Sequence, residues 1–212
     1  MDAETCDSRP DGSAILAQAE VRGRLAGKSA AILGCGGLGS NCASMLLRAG
    51  VRALTLVDFD TVESDNLNRQ LFFADQLGIP KVEALAQTLR RIDPDVQLRV
   101  VNHCITADSV AQVVAGADVV IEAVDGAATK AMILTVCGRD HPDIPVVAAS
   151  GLAGHASAND IETVRLADKL WVVGDLRSDV RDGHVLLASR VMVAAAHQAH
   201  AAIRVLLGYE DA

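Results

Sequence analysis

Aromatic side chains are nearly absent, about 2% of the chain, with one Trp, one Tyr and three Phe. That scarcity excludes the stacking platforms on which proteins lay out single-stranded nucleic acid. Basic excess is missing too: 19 Lys and Arg stand against 27 Asp and Glu, a formal net charge of -8. The average field therefore repels nucleic acid and anionic membranes alike, and any phosphate site has to be built locally. No C-x-x-C pair occurs among the five cysteines, Cys6, Cys35, Cys42, Cys104 and Cys137. An odd, unpaired set fits free thiols in a reducing compartment, so a cytoplasmic protein is expected. Structural zinc is not expected either, because four thiolate ligands normally arrive as two close pairs. Met1 is followed by Asp2, Glu4 and Asp7 rather than by a basic and then apolar leader. No charge-free apolar run approaches the roughly 20 residues of a membrane span. The nearest, residues 185–207, is broken by Arg190, His197 and Arg204.

What is present is apolar bulk in an alternating order. Half of the 212 residues are hydrophobic, enough for one good core at roughly 150 residues per domain. Residues 1–12 are polar, hold Pro10 and Gly12 and lack periodicity, so they are expected to be a flexible tail before a single domain over 13–212. A weak helical pattern spans 15–24. Short apolar strands are then expected at 30–33, 54–57, 97–101, 119–124 and 146–149, with helices at 37–49, 81–92, 109–115 and 127–137. Such alternation implies right-handed crossovers and a doubly wound, Rossmann-like α/β domain with a mostly parallel sheet. After it, the patterns at 161–166 and 170–173 suggest antiparallel C-terminal edge strands, followed by a long helix over 185–207.

The strongest local signal is Gly34-Cys35-Gly36-Gly37-Leu38-Gly39, which follows a strand and opens a helix. Glycines allow the tight turn and close backbone approach, and the helix N-terminus offers free N–H groups to phosphate oxygens. Asp58, closing the next strand, is placed to accept hydrogen bonds from ribose hydroxyls. Gly34, Gly36, Gly37, Gly39 and Asp58 are thus candidate nucleotide-binding residues. The same fingerprint in isolation also suits an NAD-dependent dehydrogenase, and a tight strand-to-helix turn needs no ligand at all.

The segment from Asp58 through Asp60, Val62, Asn66, Leu67, Arg69 and Gln70, followed by Pro80-Lys81-Val82-Glu83, resembles the D-x-D-x-V-x-x-x-N-L-x-R-Q and P-K-V-E stretches of the ThiF/MoeB/HesA activating enzymes, relatives of the ubiquitin-activating enzymes. The resemblance implies an adenylyltransferase that uses ATP and Mg2+. Asp60, Asn66 and Gln70 would join the nucleotide site, and Arg69 and Lys81 would neutralise the triphosphate, the Arg through forked hydrogen bonds and the Lys as a point charge. Asp125, at the end of the strand Val119-Val120-Ile121-Glu122-Ala123-Val124, matches the family's magnesium ligand; its simpler role is to cap the helix that follows. Arg69, Lys81 and Asp125 would form the catalytic set.

The short ThiF-like subgroup is the nearest likeness, through Ser150-Gly151-Leu152-Ala153-Gly154-His155, Gly174-Asp175 and Ala188-Ser189-Arg190-Val191. It implies a ThiS-like, ubiquitin-fold sulfur-carrier protein as partner, with its C-terminal Gly-Gly carboxylate as substrate, and a homodimer. The chain departs from larger relatives in two ways. Their N-terminal R-Y-x-R-Q arginine, which reaches the partner's ATP, is replaced by Val21-Arg22-Gly23-Arg24, leaving Arg22 or Arg24 as substitutes. No cysteine follows Cys137, so the reaction is expected to stop at the acyl-adenylate. Adenylation of a small-molecule or tRNA carboxylate, as in threonylcarbamoyladenosine dehydratases, and a non-catalytic nucleotide-binding scaffold remain the rival readings. Cys35 and Cys42 are read as packing residues, and His103, Cys104, His197 and His200 are given no role.

Overall fold

The computed structural model describes residues 16–179 and 185–209. The tail expected over residues 1–12 lies outside them. In chain order the elements are α1 (Gln18–Leu25), β1 (Ser29–Leu33), α2 (Gly37–Ala49), β2 (Ala53–Asp58), α3 (Lys81–Ile92), β3 (Gln97–Asn102), α4 (Ala107–Val114), β4 (Val119–Glu122), α5 (Ala127–Asp140), β5 (Val146–Ala149), β6 (Glu162–Ala167), β7 (Leu170–Gly174) and α6 (Ala188–Leu206). Seven strands form one sheet in the order β3-β2-β1-β4-β5-β7-β6. The order reverses direction beside β1, between β2 and β4, which is where open α/β sheets leave a crevice at their carboxyl ends.

The first five strands are parallel, as the alternating pattern requires. The C-terminal hairpin forms the antiparallel edge, but only β6 runs against the rest, because β7 pairs parallel with β5. Burial explains the assignment. Trp171, Val172 and Val173 of β7 are buried, whereas β6 is largely exposed, so the apolar strand takes the inner place and its hairpin partner is left outside and reversed.

Alternate residues of β1 point to opposite faces of the sheet. Ala30 and Ile32 join a core with Leu46 of α2, Leu85 and Leu89 of α3 and Ala195 of α6. Ala31 and Leu33 join a second core with Val110 and Val114 of α4 and Ile133 of α5. Small side chains let α6 lie close on α2: Ala194, Ala195, Ala199, Ala201 and Ala202 are all buried. Gln198, fully buried on the same helix, donates from Nε2 to the carbonyls of Glu122 (2.8 Å) and Val147 (2.9 Å), pinning α6 to β4 and β5. A buried amide is costly unless bonded, so these two bonds fix the rotation of α6 about its axis.

At the other end of the sheet, Asp118 holds the start of β1. Its carboxylate accepts from Ser29 N and Ser29 Oγ, both 2.9 Å, and from Lys28 Nζ. Partial burial pushes this carboxyl up, but the Ser29 and Lys28 bonds outweigh it and the result lies below the ordinary value of 3.8. A lowered carboxylate contributes stability above its unfolded value, and that stability is lost as pH falls through the folded value. Asp118→Asn is therefore expected to lower stability at neutral pH, and urea titrations are expected to show a flatter loss of stability below about pH 4 in the variant than in the wild type. Parallel curves for the two proteins would contradict this.

Candidate nucleotide site

Strand ends and strand-to-helix turns assemble the site. The carboxyl ends of β1, β2, β4 and β5 surround a cleft of about 520 Å³. Gly34, Gly36, Gly37, Asp58, Asp60, Arg69, Gln70, Lys81 and Asp125 all line it. Two of the sequence-derived residues do not. Gly39 serves the turn, because a Cβ there would overlap the carbonyl oxygen of Gly34 and pry α2 from β1. Asn66 accepts from Glu63 N at 3.0 Å and closes a single helical turn, so it shapes the loop behind Arg69.

Gly34 sits at φ 96°, and a Cβ on it would lie 2.6 Å from Ala123 O, so glycine is required where β1 passes the end of β4. The turn then enters α2 at Gly36, which has no side-chain cap. Helical geometry leaves the first N–H groups of α2 without intrahelical acceptors, at the wall of the cleft. Asp58 is nearly buried. Its Oδ2 accepts from Cys35 N at 2.6 Å and its Oδ1 from Asp60 N at 2.9 Å, which ties the glycine turn to the end of β2. Two of roughly four acceptor directions on the carboxylate remain for hydroxyl donors.

Lys81 occupies the first position of α3, after Pro80. A cation there opposes the helix dipole. It is held by Asp60, Nζ to Oδ2 at 2.7 Å, while its own N–H donates to Asp60 O. Arg69 donates from Nη1 to Asp65 O and Asn68 Oδ1, and its aliphatic stem passes over Gly37. Two residues passed over in the sequence dock this loop on α2. Asn41 donates to Gly37 O (2.7 Å) and Arg69 O (3.1 Å), and Ser40 Oγ accepts from Leu71 N. Their signal was only an adjacent polar pair in the first turns of α2.

Below Asp125 lies a buried pair that sequence reasoning also missed. Glu122, fully buried at the end of β4, receives Lys130 Nζ at 2.5 Å and Val124 N at 2.9 Å. Burial pushes its carboxyl up and Lys130 opposes the shift. Lys130 also reaches Val124 O, so the pair holds both the N–H and the carbonyl of Val124, the residue before Asp125. Asp125 itself is exposed in the cleft and makes no hydrogen bond or ion pair among the described residues. No cluster of three or more His, Cys, Asp or Glu suited to a metal occurs among those residues. A single free carboxylate fits Mg2+ that is shared with phosphates and water, and does not suit a closed zinc site.

Cys35 is buried, and burial first, then Asp58, pushes its thiol well above the ordinary range, away from nucleophilic use. Cys42 is raised by burial as well. Arg22 lies against Gly50, just before β2, hence at the end of the strands opposite the cleft, and Arg24 pairs with Glu20 on the surface. Neither lines the cleft. Among the described residues no helix is long and apolar enough to cross a membrane.

Known proteins carry the same architecture. The chain is 37% identical over 138 residues to the tRNA threonylcarbamoyladenosine dehydratase of Escherichia coli, covering 64% of this chain and 51% of that protein. It is 35% identical over 184 residues to the ubiquitin-like modifier-activating enzyme 5 of Drosophila simulans, covering 79% and 45%. The chain thus spans about half the length of these curated relatives. Among solved structures, the E. coli tRNA N6-threonylcarbamoyladenosine dehydratase TcdA in complex with ATP superposes with a TM-score of 0.80 at 26% identity, over 88% of each chain. The same enzyme in complex with AMP gives a TM-score of 0.79 at 25% identity. The model of the ThiF family matches residues 13–212, and the chain belongs to that family.

Proposed function

We propose that this chain is an ATP-dependent adenylyltransferase that activates a carboxylate, and that the carboxylate is the C-terminal Gly-Gly of a ThiS-like, ubiquitin-fold sulfur-carrier protein in thiamine biosynthesis. The observation that carries the reading is the convergence, around one cleft, of a helix N-terminus, two cations and an uncommitted carboxylate. A hydride-transfer site needs no such set, whereas a triphosphate does. Solved complexes of TcdA with ATP and with AMP support nucleotide binding in this fold.

In the reaction, the carrier's carboxylate attacks the α-phosphorus of ATP and pyrophosphate leaves. A carboxylate is already ionised at neutral pH, so no general base is required. Catalysis is then positioning and charge neutralisation. The N–H groups of the glycine turn and Arg69 and Lys81 receive the charge that develops on the phosphates, and Asp58 holds the ribose. Asp125 would hold Mg2+, which would supply further neutralisation of the phosphates. The fit of a Gly-Gly tail rests on Ser150, Gly151 and Ala153 in the cleft wall, where small residues suit an extended segment without side chains. The formal charge of -8 opposes an RNA substrate.

Adenylation of a tRNA-borne carboxylate is the second reading, favoured by the identity to the E. coli dehydratase. ATP–pyrophosphate exchange separates the two. It is expected to require a carrier with a free C-terminal Gly-Gly, and one added residue, overshooting by about 3.5 Å, is expected to abolish it. Exchange that persists without carrier, or with threonylcarbamoylated tRNA alone, contradicts the carrier assignment. The reading includes a cytoplasmic homodimer. Sedimentation at micromolar concentration is expected to give a dimer, and a monomer would remove any role in trans for Arg22 or Arg24.

A further inference from the structure

Beside the glycine turn, the cleft wall is held by a buried ion pair to which the reaction above assigns nothing. Arg190, in the first turn of α6, and Asp175, just after β7, are 3% and 5% exposed and meet at 2.5 Å, Nη2 to Oδ2. A cation in the first turn of a helix works against the dipole, so the position has to be offset by specific partners. Arg190 Nη1 donates to the carbonyls of Ala156 and Ser157. Asp175 Oδ1 accepts from Arg177 N, Ser178 N and Ser178 Oγ. One salt bridge thus fastens three segments to each other: the loop after β5, the loop after β7, and the start of α6.

Those segments are the ones that carry Gly151, Leu152, Ala153, Ser178 and Val191 into the cleft. Space at the junction is already exhausted. At Gly151, which has φ 77°, any Cβ would collide with the Asp175 carboxylate and would lie 2.6 Å from Leu176 N. None of these five lining residues is a cation; Val191 lies against Gly37 of the glycine turn, and the other four belong neither to that turn nor to the β2 end. This half of the cleft is left for the second substrate.

We propose that the Arg190–Asp175 bridge is a positioning device for the carboxylate substrate, fixing the width of the slot through which that substrate's tail enters, and that it leaves ATP binding alone. The inference rests on the adenylation reading and deepens it. Arg190→Lys keeps a charge beside Asp175 but loses the fork that also reaches Ala156 and Ser157. Asp175→Asn keeps the shape and loses the charge. The slot wall should loosen in both.

The test compares wild type, Arg190→Lys, Asp175→Asn and Ser178→Ala, with a ubiquitin-fold sulfur carrier ending in Gly-Gly as the probe. Both bridge variants are expected to raise the carrier KM at least tenfold, to speed deuterium uptake over residues 151–157, and to change the ATP Kd by less than twofold. Ser178→Ala, which removes only one bond from Asp175, is expected to shift the carrier KM in the same direction by a smaller factor, and serves if the bridge variants fail to fold. Faster uptake with an unchanged carrier KM makes the bridge a purely structural clamp and overturns the proposal, as does an ATP Kd that weakens in step with KM, or an unmoved KM in Ser178→Ala. Exchange that is absent in the wild type defeats the adenylation reading itself, and is told apart from failure of the bridge by that control.

Discussion

Lys81→Ala is expected to lower ATP–pyrophosphate exchange by at least tenfold while the melting temperature stays within a few degrees of wild type. The ammonium is nearly buried at the start of α3 and is held by Asp60 at 2.7 Å in the cleft wall. Charge-assisted bonds are worth about 1.5 to 3 kcal/mol in a ground state, and about 1.4 kcal/mol is a decade in rate. Removing the cation has a second cost, because Asp60 is then left near Asp58 with no counter-charge as the triphosphate enters. Alanine is the best helix former, so the first turn of α3 survives the change. Arg69→Ala is expected to fall in the same range, since among the described residues its guanidinium is bound only to Asp65 O and Asn68 and can be redirected to phosphate. Unchanged exchange in either variant would reduce that residue to a loop cation.

Gly39→Ala is expected to damage both stability and binding, although the added group is one methyl. Its Cβ would sit on the carbonyl of Gly34 and against Ile32, 3.2 Å from Cγ2, where α2 lies close on the end of β1. Overpacking of this kind costs about 1 to 3 kcal/mol or more, and in a domain of this size each kcal/mol moves Tm by about 2 to 4 °C. Relief requires α2 to shift along its axis, which carries the first-turn N–H groups away from the cleft. A lower Tm is therefore expected together with loss of the stabilisation that ATP confers on the wild type. A variant with wild-type Tm and an intact ATP shift would show that the turn has slack that the contacts deny.

The same contacts explain which parts of the molecule were legible in the sequence. Helix α2 and helix α3 run over the residues expected, because Gly50 and Pro94, which stop them, are local signals read directly from residue type. The nucleotide half of the cleft was legible for the same reason. Its residues sit on two consecutive strand-to-helix turns, where function and backbone geometry share one short motif. Asn66 was expected at the nucleotide site and to order the loop beside the phosphates, and its side chain closes that loop's own turn, since polar residues in turns bond their own backbone first. The parallel pairing of β7 was not legible, because a hairpin pattern states that two strands are antiparallel to each other and says nothing about which joins the sheet. Nor were Glu122 with Lys130, Asp175 with Arg190, or Gln198 with β4 and β5. Each joins residues of different elements, with no spacing that periodicity could detect.

The central claim is that the cleft transfers AMP from ATP to a carboxylate at the end of a carrier tail. Intact-protein mass spectrometry of the carrier, after incubation with this protein, ATP and Mg2+, reads that event directly. A carrier ending in Gly-Gly is expected to gain the mass of one adenylyl group, to lose it on addition of pyrophosphate, and to stay unmodified with Lys81→Ala in place of the wild type. A carrier whose mass never changes, while the same protein consumes ATP or adenylates threonylcarbamoylated tRNA, would contradict the account.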